Sequence, residues 1–471
     1  MKKLLYLSLG LLVTLTASPD LCAQSFVQVG TCTPSINFVL FDWADIDHDS
    51  DSDLLYTGQR DSTNLPMQII IYRNDGNDMF TSTMVYNNVQ TPYPWDSKFA
   101  DVNNDGWADI LFSYHGSSAS TRVFLNNGAG TFLPPQTIIS GTGGNMALAD
   151  IDLDGDVDIA VSRHYTIKIY RNDGNLLFTD LNLFLANDLS NLVFGDLNGD
   201  NYPGLVASGE DSNIGNYHTY LFRNNSGTTF TMMDDLGDMN GRVSLADADG
   251  DNDKDLLLTG NVDYNTPITS LFINNGNFIL DSISPAPMAL NGYAGWLDSD
   301  QDGDMDFICS GYYGQFPNNS NRIVLFTNNG SAVFTTQILN PPLPNERGSI
   351  AIADYNNDLY PDFAFCGQLS TAQMTPRIFK NAYDTGVNER DDDEQLQSFP
   401  SPTLGIVSLV LKQIIESGTL TVCDLTGRTL ETQNLAGGTN FTVDLSSFVP
   451  GVYIIRVTDA ENTFVQRIVK Q

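Results

Sequence analysis

Aspartate-rich segments recur along the chain, and the spacing of their acids could hold a metal ion. The segment from Asp150 to Ala160 reads DIDLDGDVDIA, with five aspartates at alternating positions. Like charges this close repel each other, and the segment contains no basic residue. Oxygen-bearing side chains at alternate positions converge on one point when the chain curls, and such a point suits a hard cation. The segment therefore predicts a cation site.

Six further segments follow the same pattern. Counted from the first aspartate, positions 1, 3 and 5 are Asp or Asn in all seven segments, and position 9 is Asp in six. We expect position 7 to contribute its backbone carbonyl. The predicted side-chain ligands are Asp45, Asp47, Asp49 and Asp53; Asp101, Asn103, Asp105 and Asp109; Asp150, Asp152, Asp154 and Asp158; Asp196, Asn198 and Asp200; Asp247, Asp249, Asp251 and Asp255; Asp298, Asp300, Asp302 and Asp306; and Asp354, Asn356, Asp358 and Asp362.

The ligand types favour Ca²⁺. Carboxylate and amide oxygens suit this ion, whereas Zn²⁺ would need His or Cys at ligand positions. An EF-hand is excluded, because it requires Glu at position 12 and flanking helices. Position 12 here is Tyr, Phe, Val, Ala, Leu or Cys. The chain is therefore predicted to bind up to seven Ca²⁺ ions.

The seven loops are predicted to differ in strength. The curl needs a residue at position 6 that tolerates left-handed geometry, and Gly or Asn occupies this position in five loops. The loops that start at Asp150 and Asp298 have every feature, and those at Asp45, Asp101 and Asp247 are good. The loop at Asp196 has Gly204 at position 9, and the loop at Asp354 has Leu359 at position 6. We expect these two to be weak or empty.

The elements that would position these loops are short strands. An apolar run precedes each loop and a β-rich run follows it. A third run ends in an Asn/Gly turn, and Phe and another strand come next. Four strands per unit of about 50 residues, repeated seven times, predict an all-β, seven-bladed β-propeller. The seventh unit lacks its last strand, so we expect Ser25 to Gly30 to pair with Arg377 to Ala382 and close the ring.

The units resemble the FG-GAP or VCBS repeats of integrin α-subunit propellers and many bacterial surface proteins. The resemblance covers Ser25 to Tyr383 and rests on the acidic loop motif. It implies a propeller in which a Ca²⁺ loop joins the first two strands of each blade.

The ends of the chain indicate export. Residues 1–23 have a basic start, an apolar run and a cleavage site after Ala23, which is typical of a signal peptide. The propeller is expected to occupy 24–383 and a polar linker 384–397.

Residues 398–471 predict a small Ig-like β-sandwich. They resemble the C-terminal sorting domain of the bacterial type IX secretion system, through Pro400-Ser401-Pro402-Thr403 with Gly405, the turn at Gly427, Asp444-Leu445-Ser446, Gly451-Val452-Tyr453, Arg467 and Lys470. The family usually has Asn where Ser401 stands. The resemblance implies contact with the type IX secretion machinery and passage across the outer membrane. The protein is then expected to be secreted or to stay on the outer cell surface of a Gram-negative bacterium.

The composition of the chain limits which partners and which covalent links it can have. The formal net charge is −35, from 57 acidic and 22 basic residues, which argues against nucleic-acid binding. Beyond the signal peptide no segment is apolar enough to span a bilayer. We expect the four remaining cysteines, Cys32, Cys309, Cys366 and Cys423, to be buried free thiols, with a single disulfide bridge as the alternative.

Two function classes remain. The first is a non-enzymatic adhesion or binding module, which would bind a glycan or protein on the face opposite the calcium loops. We expect exposed aromatics on that face, among them Tyr86 to Trp95, Tyr114, Tyr165, Tyr264, Tyr293 and Tyr312-Tyr313. The alternative is a polysaccharide-degrading, lyase-like enzyme, which needs a base and a charge-neutralising group in one cleft. Convergence of His115, His164 and a Lys or Arg would favour the enzyme; otherwise no catalytic residue is predicted.

Overall fold

The described part of the chain is all-β and divides into two compact units, one within residues 24–383 and one within residues 384–471. The predicted signal peptide and most of the linker lie outside the residues that the structure describes. The computed structural model describes residues 26–32, 37–59, 67–88, 94–114, 119–163, 166–183, 189–211, 216–237, 239–261, 266–283, 290–313, 320–339, 349–366, 376–382, 396–399, 403, 405–423, 429–449, 451–458 and 463–470.

The larger unit is a β-propeller of seven antiparallel sheets, as the repeat predicted. Each sheet follows the chain as a simple meander, because Asn/Gly turns join short β-branched and aromatic runs. After β1 (Phe26–Thr31), the first three blades are β2 (Asn37–Ala44), β3 (Asp53–Gln59), β4 (Met67–Asn74) and β5 (Phe80–Asn88); β6 (Pro94–Ala100), β7 (Asp109–Tyr114), β8 (Ser120–Phe124) and β9 (Gln136–Ser140); and β10 (Met146–Ala149), β11 (Asp158–Arg163), β12 (Thr166–Asn172) and β13 (Phe178–Asp180).

The other blades follow the same order. In the sixth blade the first strand is split into two short strands, which pair with the same neighbour. The strands are β14 (Leu189–Gly195), β15 (Gly204–Asp211), β16 (Asn216–Asn224) and β17 (Phe230–Asp235); β18 (Asn240–Ala246), β19 (Asp255–Asn261), β20 (Pro267–Asn274) and β21 (Leu280–Ile283); β22 (Leu290–Asn291), β23 (Ala294–Leu297), β24 (Asp306–Tyr313), β25 (Ser320–Asn328) and β26 (Phe334–Ile338); and β27 (Ile350–Ala353), β28 (Asp362–Phe365) and β29 (Arg377–Asn381).

The first strand of the propeller completes its last blade. β1 pairs antiparallel with β29, with Phe26 opposite Asn381 and Thr31 opposite Arg377. The predicted closure through the N-terminus is therefore confirmed for Phe26 onward, while Ser25 lies outside the described residues. Pairing the two ends of the propeller removes a sheet edge that would otherwise be exposed.

Burial follows the position of a strand within its blade. The first strands of most neighbouring blades contact each other, as β2 contacts β6 and β27, and in a propeller such strands surround the central axis. The second strands are buried on both faces between adjacent blades, as β7 is along its whole length. The fourth strands form the circumference, and β17 is exposed at nearly every position. The four cysteines are free and buried, which confirms the expected thiols.

Seven asparagines join each blade to the one before it. Six of them end the third strand of their blade and Asn126 follows β8 by two residues; each donates its side-chain N–H to the backbone carbonyl at position 2 of the preceding acidic loop. The pairs are Asn74 with Tyr355, Asn126 with Ile46, Asn172 with Val102, Asn224 with Ile151, Asn274 with Leu197, Asn328 with Ala248 and Asn381 with Ser299. The bond from Asn74 to Tyr355 links the first blade to the last, so the hydrogen bonds run around the complete ring.

The C-terminal unit has its own core. Its strands are β30 (Leu396–Phe399), β31 (Ile406–Cys423), β32 (Thr429–Asp444), β33 (Gly451–Thr458) and β34 (Thr463–Lys470). The first half of β31 pairs with β30 and β32, and its second half pairs with β32 and β33. One apolar cluster, including Val407, Leu420, Ile455 and Ile468, fills this unit. Among the described residues no helix is long and apolar enough to cross a membrane.

Candidate metal centres

Each acidic loop curls around the carboxylate of its first aspartate. In one loop, Asp150 accepts the backbone N–H of Asp154 at 3.1 Å and that of Gly155 at 2.9 Å. Asp154 in turn accepts the N–H of Asp156 at 2.9 Å. The bonds from position 6 to position 1 and from position 7 to position 5 recur in all seven loops. The backbone therefore fixes the curl that the sequence pattern predicted.

Two positions of each loop adopt left-handed backbone geometry. Position 6 was expected to do so, and its φ is 96° at Gly155 and 76° at Leu359. Leu359 is 72% exposed, so its side chain avoids a clash, but a β-carbon is strained at this φ. Position 4 is also left-handed in every loop, as at His48 and Leu153, which the sequence analysis did not anticipate.

The aspartate at position 9 is a buried anchor between loop and blade. One oxygen of Asp158 accepts the backbone N–H of Ile151 at 2.8 Å, and the other accepts that of Asn172 at 2.7 Å. Asp158 has no exposed surface, and burial raises its pKa to about 7. The equivalent aspartates have the same two bonds and also raised pKa values: Asp53, Asp109, Asp255, Asp306 and Asp362.

Four loops bring three carboxylates together. In each group one oxygen from every residue lies within 4.8 Å of the others. The groups are Asp45, Asp47 and Asp53; Asp150, Asp152 and Asp158; Asp247, Asp249 and Asp251; and Asp298, Asp300 and Asp302.

The same four loops contain buried carboxylate oxygens without a hydrogen-bond partner. These atoms are Oδ1 of Asp45, Asp47, Asp152, Asp249, Asp298 and Asp300. Burial is the largest cause of the raised pKa values of Asp47, Asp152, Asp249 and Asp300. The second cause is the negative charge of the aspartate at position 5 of the same loop. A buried carboxylate oxygen that lacks a donor is unfavourable unless a cation binds it. The donor set, all oxygen and highly charged, fits Ca²⁺.

The remaining three loops have Asn at position 3. In two of them its amide donates to the position 5 aspartate, from Asn103 to Asp105 at 2.9 Å and from Asn198 to Asp200 at 2.7 Å. In the third, the side-chain nitrogen of Asn356 is buried without a partner. These loops do not gather three acidic side chains around one point. The loop at Asp101, expected to be good, is thus built more like the loops at Asp196 and Asp354.

Basic side chains offset part of the loop charge. Arg73 lies 3.6 Å from Asp47, and Arg171 lies 3.9 Å from Asp152. Both arginines are also paired with a surface aspartate on the adjacent turn, Asp75 or Asp173. Each of these two loops gathers three carboxylates within 4.8 Å and faces one arginine, so its acids stay in excess.

Neighbouring loops contact each other along part of the ring. His48, at position 4 of the first loop, stacks on Trp107, at position 7 of the second, with ring centroids 3.8 Å apart. Asn104 donates to the carbonyl of Gly155 in the third loop at 3.2 Å. Asn357 donates to the carbonyl of Ser50 in the first loop at 2.7 Å. The left-handed position 4 thus turns its side chain toward the next loop.

The two described histidines, which were considered for catalysis, lie on different blades. His48 lies in the first loop, and His218 is paired with Asp235 at 3.0 Å on the fourth blade. His115, His164, Tyr165 and Tyr264 lie outside the described residues.

Two of the described aromatics expected on the opposite face are packed, and a third is partly exposed. Tyr114 is buried, and Tyr86 packs on Phe112 and Phe124, whereas Trp95 is 38% exposed. Tyr114 is therefore removed as an exposed binding aromatic, and Tyr86 is half-buried by its ring contacts.

Sequence reasoning missed the seven asparagines that join the blades. Six of them precede an Asn/Gly turn, which the pattern assigned to the turn alone, and Asn381 is followed by Ala382 and Tyr383. The recurrence of Asn at one place in all seven units was the available signal.

Comparison with known proteins identifies both parts of the chain. The FG-GAP-like repeat family matches residues 45–112, 101–161, 150–207 and 298–365. The secretion system C-terminal sorting domain matches residues 397–471. The chain therefore carries FG-GAP-like repeats and a type IX sorting domain, as the two resemblances indicated.

Solved structures show distant likeness. A lectin from Agrocybe aegerita, described as recognising non-reducing terminal N-acetylglucosamine, is 16% identical; the match covers 80% of this chain and 92% of that one, with a TM-score of 0.46. The V. cholerae biofilm matrix protein Bap1 is 11% identical, with coverage of 95% and 91% and a TM-score of 0.31. No curated protein matches.

Proposed function

We propose that the protein is a calcium-binding adhesion or binding module of a Gram-negative bacterium. The FG-GAP-like repeats form a propeller, and the sorting domain implies secretion or cell-surface localisation by the type IX system. Calcium would be held in the acidic loops and would stabilise the ring. The ligand, a glycan or a protein, would bind the propeller away from those loops.

One observation carries the calcium proposal. Four loops gather three carboxylates within 4.8 Å, and the same loops contain buried carboxylate oxygens without a donor. The position 1, 3 and 5 side chains, with the position 9 aspartate where its oxygens reach, would bind the ion. Bound Ca²⁺ supplies positive charge that offsets the repulsion among these acids. The chemistry is structural, because a carboxylate held by Ca²⁺ is a poor proton carrier.

The described residues do not test the lyase alternative to the binding role. His48 and His218 belong to different blades and to different environments, so they do not share a cleft. The lyase alternative rested on His115 and His164, which the structure does not describe.

Calorimetric titration of the chain from residue 24 with CaCl₂ tests the calcium part. We expect about four tight sites, with the Asp298→Asn and Asp300→Asn double variant losing one of them. No heat of binding after complete removal of metal by chelation would contradict the proposal.

A glycan array probed with the Ca²⁺-loaded protein, and again in EDTA, tests the binding part. Reproducible binding that requires Ca²⁺ is expected. Release of reducing ends or of unsaturated sugar products from any bound glycan would instead support the enzyme.

A further inference from the structure

A groove lies between the second and third blades of the propeller, apart from the acidic loops. Its volume is about 790 Å³, which is in the range of small-molecule binding sites. One wall is the end of β9 with the residues that follow it to Thr142, and the other wall is formed by β12 and β13. Thr142 and the start of β12 at Thr166 lie at the strand ends opposite the acidic loop of the third blade.

The groove exists because the outer strand of the third blade is short. β13 has three residues and pairs with the last three residues of β12, whereas β5, with nine residues, pairs along the whole of β4. After β13, Asp180 accepts the backbone N–H of Asn182 at 2.8 Å, and Asn182 has a left-handed φ of 55°. The start of β12 at Thr166 therefore lies beyond the end of β13.

Lys168 and Asp180 form the charged part of the wall. The Lys168 ammonium lies 2.6 Å from Asp180 Oδ2, and the two side chains are 25% and 27% exposed. The other residues that line the groove are Ile, Ser, Gly, Thr, Tyr and Phe, which carry no charge at neutral pH. The charges of the pair cancel, so the groove as a whole is neutral.

Tyr170 connects the two walls. Its hydroxyl donates to Thr142 Oγ1 at 3.0 Å, and the Lys168 ammonium lies 5.9 Å from the centroid of its ring. Tyr170 is 6% exposed and packs in one apolar cluster with Ile139 of β9. The floor of the groove is therefore fixed before a ligand binds, which lowers the entropy cost of binding.

Apolar and polar surfaces lie side by side in this groove. Phe178 and Ile138 are half-buried, and Ser140 is exposed on the wall opposite β12. A ligand gains free energy by covering the apolar side chains. The same ligand displaces water from the pair of Lys168 and Asp180, so it must supply hydrogen bonds in return. A purely apolar ligand cannot supply them.

We propose that this groove binds a neutral saccharide. A pyranose ring presents C–H groups on its faces and hydroxyls around its edge, so one sugar unit matches both surfaces. Phe178 would pack against a ring face, and Asp180 and Lys168 would bind hydroxyls. The site deepens the binding role proposed above and rests on it. A peptide strand would instead need a long open sheet edge, and the start of β12 offers only a short one.

The test uses the chain from residue 24, saturated with Ca²⁺ in every arm. Calorimetry measures the binding of four neutral trisaccharides, built from glucose, mannose, galactose or N-acetylglucosamine. Triglucuronate and the glucosamine trimer are the acidic and the cationic comparison. We expect saturable binding of at least one neutral trimer, about tenfold or more tighter than either charged trimer, because the paired charges of the groove are already balanced.

Variants locate the site. Ser140→Trp should weaken binding of the best neutral trimer about tenfold or more, because the indole fills the groove, and Asp180→Asn should do so because it loses a charge-assisted acceptor. Asn at 180 can still accept the backbone N–H that shapes the turn. The matched controls are Ser282→Trp on β21 and Asp234→Asn on β17, both exposed on fourth strands of other blades. Both controls should leave the affinity unchanged.

Three results would overturn the proposal: no binding of any neutral trimer, equally tight binding of a charged trimer, or full affinity in both variants. Melting in Ca²⁺ shows whether the variants fold. If Ser140→Trp does not fold, Asp180→Asn and the charged trimers still decide. Binding on the glycan array that is unchanged in both variants would reject this groove and leave the broader binding role standing.

Discussion

The loop that starts at Asp150 and the loop that starts at Asp196 curl in the same way but differ in their charge. In both loops the carboxylate of the first aspartate accepts the backbone N–H of position 6, at 2.9 Å and 2.7 Å. The first gathers three carboxylates, whereas the second has an amide at position 3 and Gly204 at position 9. The curl is thus encoded by backbone hydrogen bonds and left-handed residues. Under the proposed calcium role, the number of converging oxygens would separate a strong cation site from a weak one.

Gly204 shows why the weaker loop cannot simply be converted into the stronger one. A β-carbon at Gly204 would lie 2.7 Å from the backbone oxygen of Phe222. The fourth blade keeps the inter-blade bond from Asn224 to Ile151 at 2.8 Å even without a position 9 acid. The blade is therefore packed around a glycine, and its loop has lost the anchor that the other six blades retain.

Removal of the anchor from the complete loop should have the largest effect. Asp158→Ala leaves the backbone N–H groups of Ile151 and Asn172 buried without an acceptor, each at about 1–3 kcal/mol. We expect a loss of about 2–5 kcal/mol in urea unfolding, with and without Ca²⁺. The control is Asp234→Ala on the exposed strand β17. Equal midpoints for the two variants would mean that position 9 is not an anchor.

An attempt to restore the anchor in the weaker loop should fail. Gly204→Asp places a β-carbon against the Phe222 backbone, so we expect a destabilisation of about 1–3 kcal/mol rather than a gain. Thermal melting in Ca²⁺ measures this. A higher melting temperature, accompanied by one additional Ca²⁺ bound in calorimetry, would show that the fourth blade adapts and that the two loops differ only by one carboxylate.

The pH dependence should separate the metal-free from the calcium-loaded protein. In the folded protein burial raises the pKa of Asp53, Asp158 and Asp306 to about 7, above the unfolded value near 4. A raised carboxyl pKa favours the fold at low pH, and this contribution is lost as the pH rises from about 4 to about 7.

The melting temperature in EDTA should therefore fall across this range. Ca²⁺ binds the ionised carboxylates, so the difference between melting in Ca²⁺ and in EDTA should widen over the same range. Melting at pH 5, 6, 7 and 8 in both buffers provides the measurement. A constant difference would mean that these acids do not titrate with the metal sites.

Much of this architecture could be predicted from the sequence, because it depends on short-range spacing. The acidic loops and the Asn/Gly turns recur within units of about 50 residues, and they indicate seven blades. The closing strand was predictable because the seventh unit lacks one. Contacts between distant residues were not predictable, since no local pattern encodes them. Asn74 and Tyr355 are 281 residues apart, and the Arg242 guanidinium donates to Asn191 and to Tyr293, each 51 residues away.

Unequal calcium sites in one ring are the central claim, and melting of three proteins tests it directly. The unsubstituted protein, Asp154→Ala and Asp200→Ala are melted in EDTA and in millimolar Ca²⁺. Each bound ion contributes about 2.7 kcal/mol at a hundredfold excess over Kd. We predict a large Ca²⁺-dependent rise for the unsubstituted protein, a clear loss of that rise for Asp154→Ala and a smaller loss for Asp200→Ala. An unsubstituted protein that melts identically in both buffers would contradict the account.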